Sequence, residues 1–118
     1  MALIPQESLE YFEKMIYLPM VIIVLERNRE LFEKGDFKLS RPYINLTESA
    51  IKLVQEDFKK AKQYMREHNL KLLKGEVDKT TTTYTFFHGG YEQDRRYLNV
   101  RLRNRTEELL EMYLMKIS

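Results

Sequence analysis

The chain of 118 residues has no cysteine and no tryptophan, and only two histidines, three prolines and four glycines. Without cysteine, disulfides, thiolate nucleophiles and sulfur-ligated metal sites are all excluded, and a reducing, cytoplasmic setting is the expectation. His68 and His88 lie far apart and neither has a short-spaced ligand partner, so no metal and no other cofactor is expected. No serine or threonine sits in a glycine-flanked elbow. Gly89-Gly90 lacks the further glycines and the Lys-Ser/Thr ending of a phosphate loop. Adjacent acids such as Glu107 and Glu108 diverge on a helix and are not poised for acid–base work. The residues therefore point away from an enzyme.

Charge of one sign is also lacking. Twenty basic side chains face eighteen acidic ones, a net +2, so no global field drives the chain onto nucleic acid or anionic lipid. The longest apolar run, Met15 to Leu25, is shorter than the ~20 residues a membrane-spanning helix needs. Lys14 is the one basic residue before that run, and Glu7, Glu10 and Glu13 interrupt its approach, so neither a leader peptide nor a membrane partner is expected. The N-x-T sequons at Asn45 and Asn104 then carry no expectation of glycosylation.

What is present suffices for an ordered core: 43% of residues are hydrophobic and 12% aromatic. At this length two independent cores would each be marginal, so residues 1–118 are read as a single domain. Pro5 to Lys34 reads as a long helix ended by Gly35, with a kink or break expected near Leu18 because Pro19 removes a donor and clashes with the preceding turn. Met20 to Leu25 is apolar on all sides, as in a bundle centre or a subunit contact.

Asp36 to Ile44 reads as a connector, since Arg41 precedes Pro42. Asn45 with Glu48 forms a capping-box pattern for a second helix to Asn69, whose stripe Ile51, Val54, Phe58, Ala61, Met65 recurs at helical spacing. Glu48 with Lys52 and Glu56 with Lys60 are expected to pair along its outer face.

After His68 the period changes. Leu70 to Val77 and Thr80 to Phe87 read as two strands of a β-hairpin turning at Asp78-Lys79, with Gly89-Gly90 as a hinge. Tyr91 to Ile117 reads as a last helix with Tyr91, Leu98, Leu102, Leu109 and Tyr113 on one face. The alternation of Leu98, Val100 and Leu102 leaves open a third strand, with a shorter helix capped by Asn104 and Glu107. The fold class is thus α+β, mainly α: long kinked helix, second helix, β-hairpin, C-terminal helix.

The densest cluster of binding-type residues is Arg95, Arg96, Tyr97, Arg101, Arg103 and Arg105, with His88 beside the paired glycines. Arginine interleaved with tyrosine grips phosphates or stacks on bases. Helical geometry, however, puts Arg101 and Arg105 on one flank of the leucine stripe and Arg96 and Arg103 on the other. Arg95 falls on the stripe itself and is expected to meet a carboxylate or carbonyl partner, whereas a strand would put Arg101, Arg103 and Arg105 on one face.

The segments Gly89-Gly90-Tyr91-Glu92-Gln93-Asp94-Arg95-Arg96-Tyr97-Leu98-Asn99, Arg101-Leu102-Arg103-Asn104-Arg105 and Met15-Ile16-Tyr17-Leu18-Pro19 resemble the YhjD-like group of short proteins from Bacillus-type bacteria. The resemblance implies a small cytosolic protein of a low-GC Gram-positive bacterium or one of its mobile elements, and carries over no activity, ligand or site.

The expected function is binding or regulation through protein–protein contacts, with a homodimer built on the Met20 to Leu25 segment. The alternative is a winged-helix nucleic-acid binder. It would split the first helix in two, use Asn45 to Asn69 as recognition helix and Leu70 to Phe87 as wing, and set Lys59, Lys60, Lys62, Arg66, Lys71 and Lys74 on phosphates.

Overall fold

A computed structural model of the chain describes residues 4–116, in the order α1 (Gln6–Lys34), α2 (Arg41–Glu67), β1 (Lys71–Val77), β2 (Thr81–His88), β3 (Tyr91–Leu98) and α3 (Asn99–Lys116). The α+β, mainly helical class is as read from the sequence, with one strand more than the hairpin. Ile117, the expected last helical residue, lies outside the described residues.

α1 does not break at Pro19. An interior proline costs about 3 kcal/mol. Against it stand Phe12 and Ile16 before the proline and Leu18, Val21 and Leu25 around and after it, all buried. Each contributes about 1.5–3 kcal/mol, so packing on both sides outweighs the lost donor and keeps α1 one continuous helix.

α1 and α2 run antiparallel. Near the start of α1, Tyr11 stacks on Tyr64 at 3.8 Å and Ser8 shares a 3.3 Å hydroxyl contact with Tyr64, while near its end Phe32 stacks on Tyr43 at 5.4 Å. Gly35 closes α1 by donating its N–H to the Leu31 carbonyl at 2.7 Å, an approach so near that an added Cβ would lie 2.4 Å from that oxygen.

α2 begins earlier than expected, at Arg41, because Pro42 falls in the first turn, where a backbone N–H has no helical partner to lose. Asn45 is therefore inside the helix and caps nothing. Ile51, Val54, Ala61 and Met65 are buried and Phe58 half-buried, as their spacing predicts. The expected Glu48–Lys52 and Glu56–Lys60 bridges are not closed: among the described residues the ion pair is Arg105 with Glu108 at 2.9 Å. Fully solvated partners gain too little from pairing to fix two long side chains.

α2 ends in a Schellman turn. Asn69 takes φ +53, the Asn69 N–H reaches the Arg66 carbonyl, and the Leu70 N–H reaches the Met65 carbonyl at 2.8 Å. That turn launches the antiparallel meander β1-β2-β3, with a bulge in β1 between Lys74 and Val77. Asp78 forms the first turn by accepting the N–H groups of Thr80 and Thr81.

Gly89 and Gly90, at φ +56 and +79, form a two-residue hairpin turn that pairs His88 with Tyr91 and carries the pairing through Thr81 with Leu98. This corrects the hinge-and-helix reading of Gly89 to Leu98. The helix resumes at Asn99, five residues before the expected cap at Asn104. The Asn99 side chain donates to the Asp78 carbonyl at 2.9 Å and accepts from Thr82 Oγ1 at 2.6 Å, tying the start of α3 to the turn after β1.

Two apolar clusters share α1. Phe12, Ile16, Tyr17 and Met65 meet Tyr84, Phe86 and Leu102 at the sheet end, where Phe12 stacks on Phe86 at 4.5 Å. Leu18, Val21 and Leu25 meet Ala50, Ile51, Val54 and Tyr113 where the three helices pack. The described residues span 57 × 33 × 19 Å. Nineteen ångströms is about two packed layers, so the middle of α1 is covered on fewer sides than its apolar sequence could fill.

Candidate functional site

The structure disperses the sequence-predicted residues. Antiparallel pairing puts Tyr84 opposite Arg95 and Thr82 opposite Tyr97, so Arg95 and Tyr97 point to the inner sheet face, toward α1, while the next residue, Arg96, is exposed on the outer face. Arg101, Arg103 and Arg105 are exposed on α3, with Arg105 facing one cleft and Arg103 a different groove. Arg105 and Arg103 thus face different clefts of α3. His88 is half-buried at the far end of β2, its Nε2 buried without a hydrogen-bond partner.

Arg95 corrects the expected ion pair. Its guanidinium lies 5.3 Å from the centre of the Phe86 ring, and its Nε is buried without a hydrogen-bond partner. The charge is held by an aromatic face because the strand register, not a helical one, decides its neighbours.

A cleft of about 470 Å³ separates the first half of α1 from α3. Tyr17, Glu13 and Lys14 of α1, Asp57 of α2, and Arg105 and Tyr113 of α3 line it. Tyr113 donates to Asp57 Oδ2 at 2.6 Å. Burial, then that carboxylate, raises the Tyr113 phenol above its usual range. Burial and the Glu13 carboxylate raise Tyr17 against the opposing pull of Arg105, and Tyr97 is pushed up to about 12, mainly by burial. These phenols are neutral hydrogen-bond donors at pH 7, and the cleft carries both signs of charge. Neither Tyr17 nor the Asp57–Tyr113 bond was singled out from the sequence, because the partners come from three helices and no local spacing joins them.

On the other side of α1, Met20, Ile23 and Val24 form a ridge. Ile23 is 49% exposed at the centre of the apolar run, Met20, Ile22 and Val24 are only half-buried, and Leu31, at 60%, extends the same open side of the helix. A groove of about 720 Å³ flanks the ridge toward α3, involving Leu102 and Leu110. A second groove, of about 600 Å³, lies toward α2 and β1. Its floor is Met15, Ile16, Met65, Leu70, Leu72 and Tyr84, and its edge carries Lys62, Arg66, Lys71 and Lys74. The apolar ridge was legible as the segment Met20 to Leu25, whereas the meeting of Lys62 and Arg66 with Lys71 and Lys74 depends on the turn at Asn69.

The winged-helix arrangement requires the first segment to form two helices, and α1 is one. Lys59 and Lys60 are exposed on α2 and do not line the basic groove. Among the described residues no three His, Asp or Glu side chains gather in a metal-holding group, and no helix is long and apolar enough to cross a membrane.

The family model described as YhjD protein matches residues 3–118. The Bacillus subtilis (strain 168) protein recorded as "Uncharacterized protein YhjD" is 33% identical over 109 residues, covering 92% of this chain and 91% of that protein. No solved structure matches.

Proposed function

This chain belongs to the YhjD family, and from that premise we propose that it is a non-enzymatic binding or regulatory protein that acts through protein–protein contacts and pairs as a homodimer through the open side of α1. The observation that carries the reading is Ile23, half exposed on a ridge with a groove on each side. A two-fold contact uses the same patch on both partners, so the patch must be complementary to itself. A ridge beside a groove meets that requirement in shape. The stretch Met20 to Leu25 meets it in charge, having none to repel its own copy. A cytoplasmic site of action is consistent with the absence of cysteine.

Light scattering at tens of micromolar is expected to give twice the chain mass, and Ile23→Asp to give the single mass with unchanged far-ultraviolet circular dichroism. A monomeric wild-type protein overturns the pairing. Loss of helicity in Ile23→Asp makes the residue an ordinary core position.

Nucleic acid is the weaker reading. Lys62, Arg66, Lys71 and Lys74 share one groove, but its floor is apolar, whereas a phosphate backbone needs polar and cationic contacts along its length. Duplex binding near physiological salt, with a log–log salt slope of about 0.9 per neutralised phosphate that falls in Lys62 and Lys74 variants, would restore it.

A further inference from the structure

The groove between α1, α2 and β1 has a composition that the pairing reading does not use. Its floor is apolar side chain from three elements: Met15 and Ile16 of α1, Met65 at the end of α2, Leu70 just before β1, and Leu72 and Tyr84 of the sheet. Four basic residues and no carboxylate border it. Among the described residues none of the four is in an ion pair. Lys62 has its ammonium group over the Phe58 ring at 4.6 Å, whereas Lys71, opposite Phe87 in the strand pair, turns its ammonium to the outer sheet face over that ring at 5.8 Å and borders the groove only with the rest of the residue. Arg66, at the end of α2, and Lys74, across the strand pair from Tyr84, are both exposed.

This arrangement is unusual for a chain whose charges balance. Eighteen acidic residues are available, yet none borders this groove. A groove lined on the floor by methylene and thioether groups, and at the edge by uncompensated cations, is complementary to a molecule with an apolar body and one anionic end. Its volume of about 600 Å³ falls in the usual range of small-molecule sites, about 300–1,000 Å³.

We propose that this groove binds a single-chain anionic amphiphile, a free fatty acid, with the acyl chain along the Met15, Met65, Leu70 and Leu72 floor and the carboxylate between Arg66 and Lys74. A guanidinium fork suits a carboxylate in two-pronged geometry, and the lysine adds a second donor. The methionines supply adaptable walls for a flexible chain. The groove is an open one of finite volume, about 600 Å³, which matches one acyl chain in size. The groove shares Met20 and Ile23 with the pairing ridge, but the proposal does not rest on pairing, since ligand binding and assembly mass are separate readouts.

The test is calorimetric titration of the full chain with laurate below its micelle concentration. Dodecyltrimethylammonium serves as the same-length cation and butyrate as the same head without the chain, while sedimentation with anionic phosphatidylglycerol vesicles tests for a membrane. Laurate is expected to bind with a Kd in about the micromolar range, and the cation at least about tenfold more weakly. Butyrate is expected to give no heat, and the protein to stay out of the vesicle pellet. Arg66→Gln with Lys74→Gln, both exposed positions, should weaken laurate about tenfold while the urea midpoint stays in place. No heat with laurate, equal affinity for both charge types, or laurate binding unchanged in the double variant would each overturn the proposal. Vesicle capture without laurate binding would assign the cations to a membrane surface instead.

Discussion

Replacing Arg95 separates two accounts of how the sheet holds a charge. Had Arg95 sat on a helix against a buried carboxylate, Arg95→Ala would strand that acid and cost about 3–5 kcal/mol. In the structure its guanidinium faces the Phe86 ring at 5.3 Å and its Nε is buried with no hydrogen-bond partner. The ring contact stabilises by about 0.5–2 kcal/mol, and the unpartnered donor costs about 1–3 kcal/mol. The two largely offset, leaving the packing of the aliphatic stem and the contact with the Tyr97 hydroxyl as the main losses. Arg95→Ala is therefore expected to cost about 0.5–2 kcal/mol, whereas Arg95→Met, which keeps the stem and removes the buried Nε, should stay within about 1 kcal/mol of wild type. Arg101→Ala, exposed on α3, should change stability by no more than about 0.5 kcal/mol. Urea denaturation followed by circular dichroism at constant m-value measures all three. A loss of 3 kcal/mol or more in Arg95→Ala, or a loss in Arg95→Met as large as in the alanine variant, would refute the ring-held account and require an acidic partner.

Phe86→Ala removes a ring that is 1% exposed and stacked on Phe12, so urea melts should show a loss of about 3–5 kcal/mol, with Phe87→Ala, on the half-buried outer face, clearly milder. Tyr113→Phe removes the 2.6 Å bond to Asp57 that joins α3 to α2 and should cost about 1.5–3 kcal/mol; equal stability would mean the carboxylate is satisfied by water. Alkaline stability follows from the raised phenols Tyr17, Tyr84, Tyr97 and Tyr113. Their folded pKa lies above the unfolded value, so the contribution is complete below about pH 10 and is lost as pH rises through the folded values, which for Tyr97 means toward about 12. Tyr97→Phe should flatten the fall in urea midpoint between those limits, and a profile parallel to wild type would count against this. Asp78 works in the opposite direction: the Thr81 and Thr80 N–H groups lower its pKa. Its turn should weaken as pH falls below the ordinary aspartate range, visible as loss of hydrogen-exchange protection at Thr80 and Thr81 in wild type that Asp78→Asn does not reproduce.

Some of this protein was decided by local chemistry and was legible in the residues alone. The stripe Ile51, Val54, Phe58, Ala61, Met65 sets α2 because every member recurs with the helical period. The β-branched run Thr80 to Thr83 sets β2, and Gly35 stops α1. The run Met20 to Leu25 was legible as apolar on all sides, but not which of its side chains the fold leaves half exposed. Residues 91–98 were a different matter. They hold two acids, two arginines and a glutamine with no β-branched side chain, so local preference favours a helix. Pairing with β2 along its whole length overrides it, and the visible signal was Gly89-Gly90, the pair that suits a two-residue hairpin turn. Arg41-Pro42 misled because its backbone penalty falls where a helix end has no donor to lose, and at Pro19 buried side chains on both sides keep α1 a single helix rather than two. The partners of Arg95, the Asp57–Tyr113 bond and the gathering of Lys62, Arg66, Lys71 and Lys74 were settled only by tertiary structure. Each joins residues from different elements, and their distance depends on strand register and helix packing rather than on spacing along the chain.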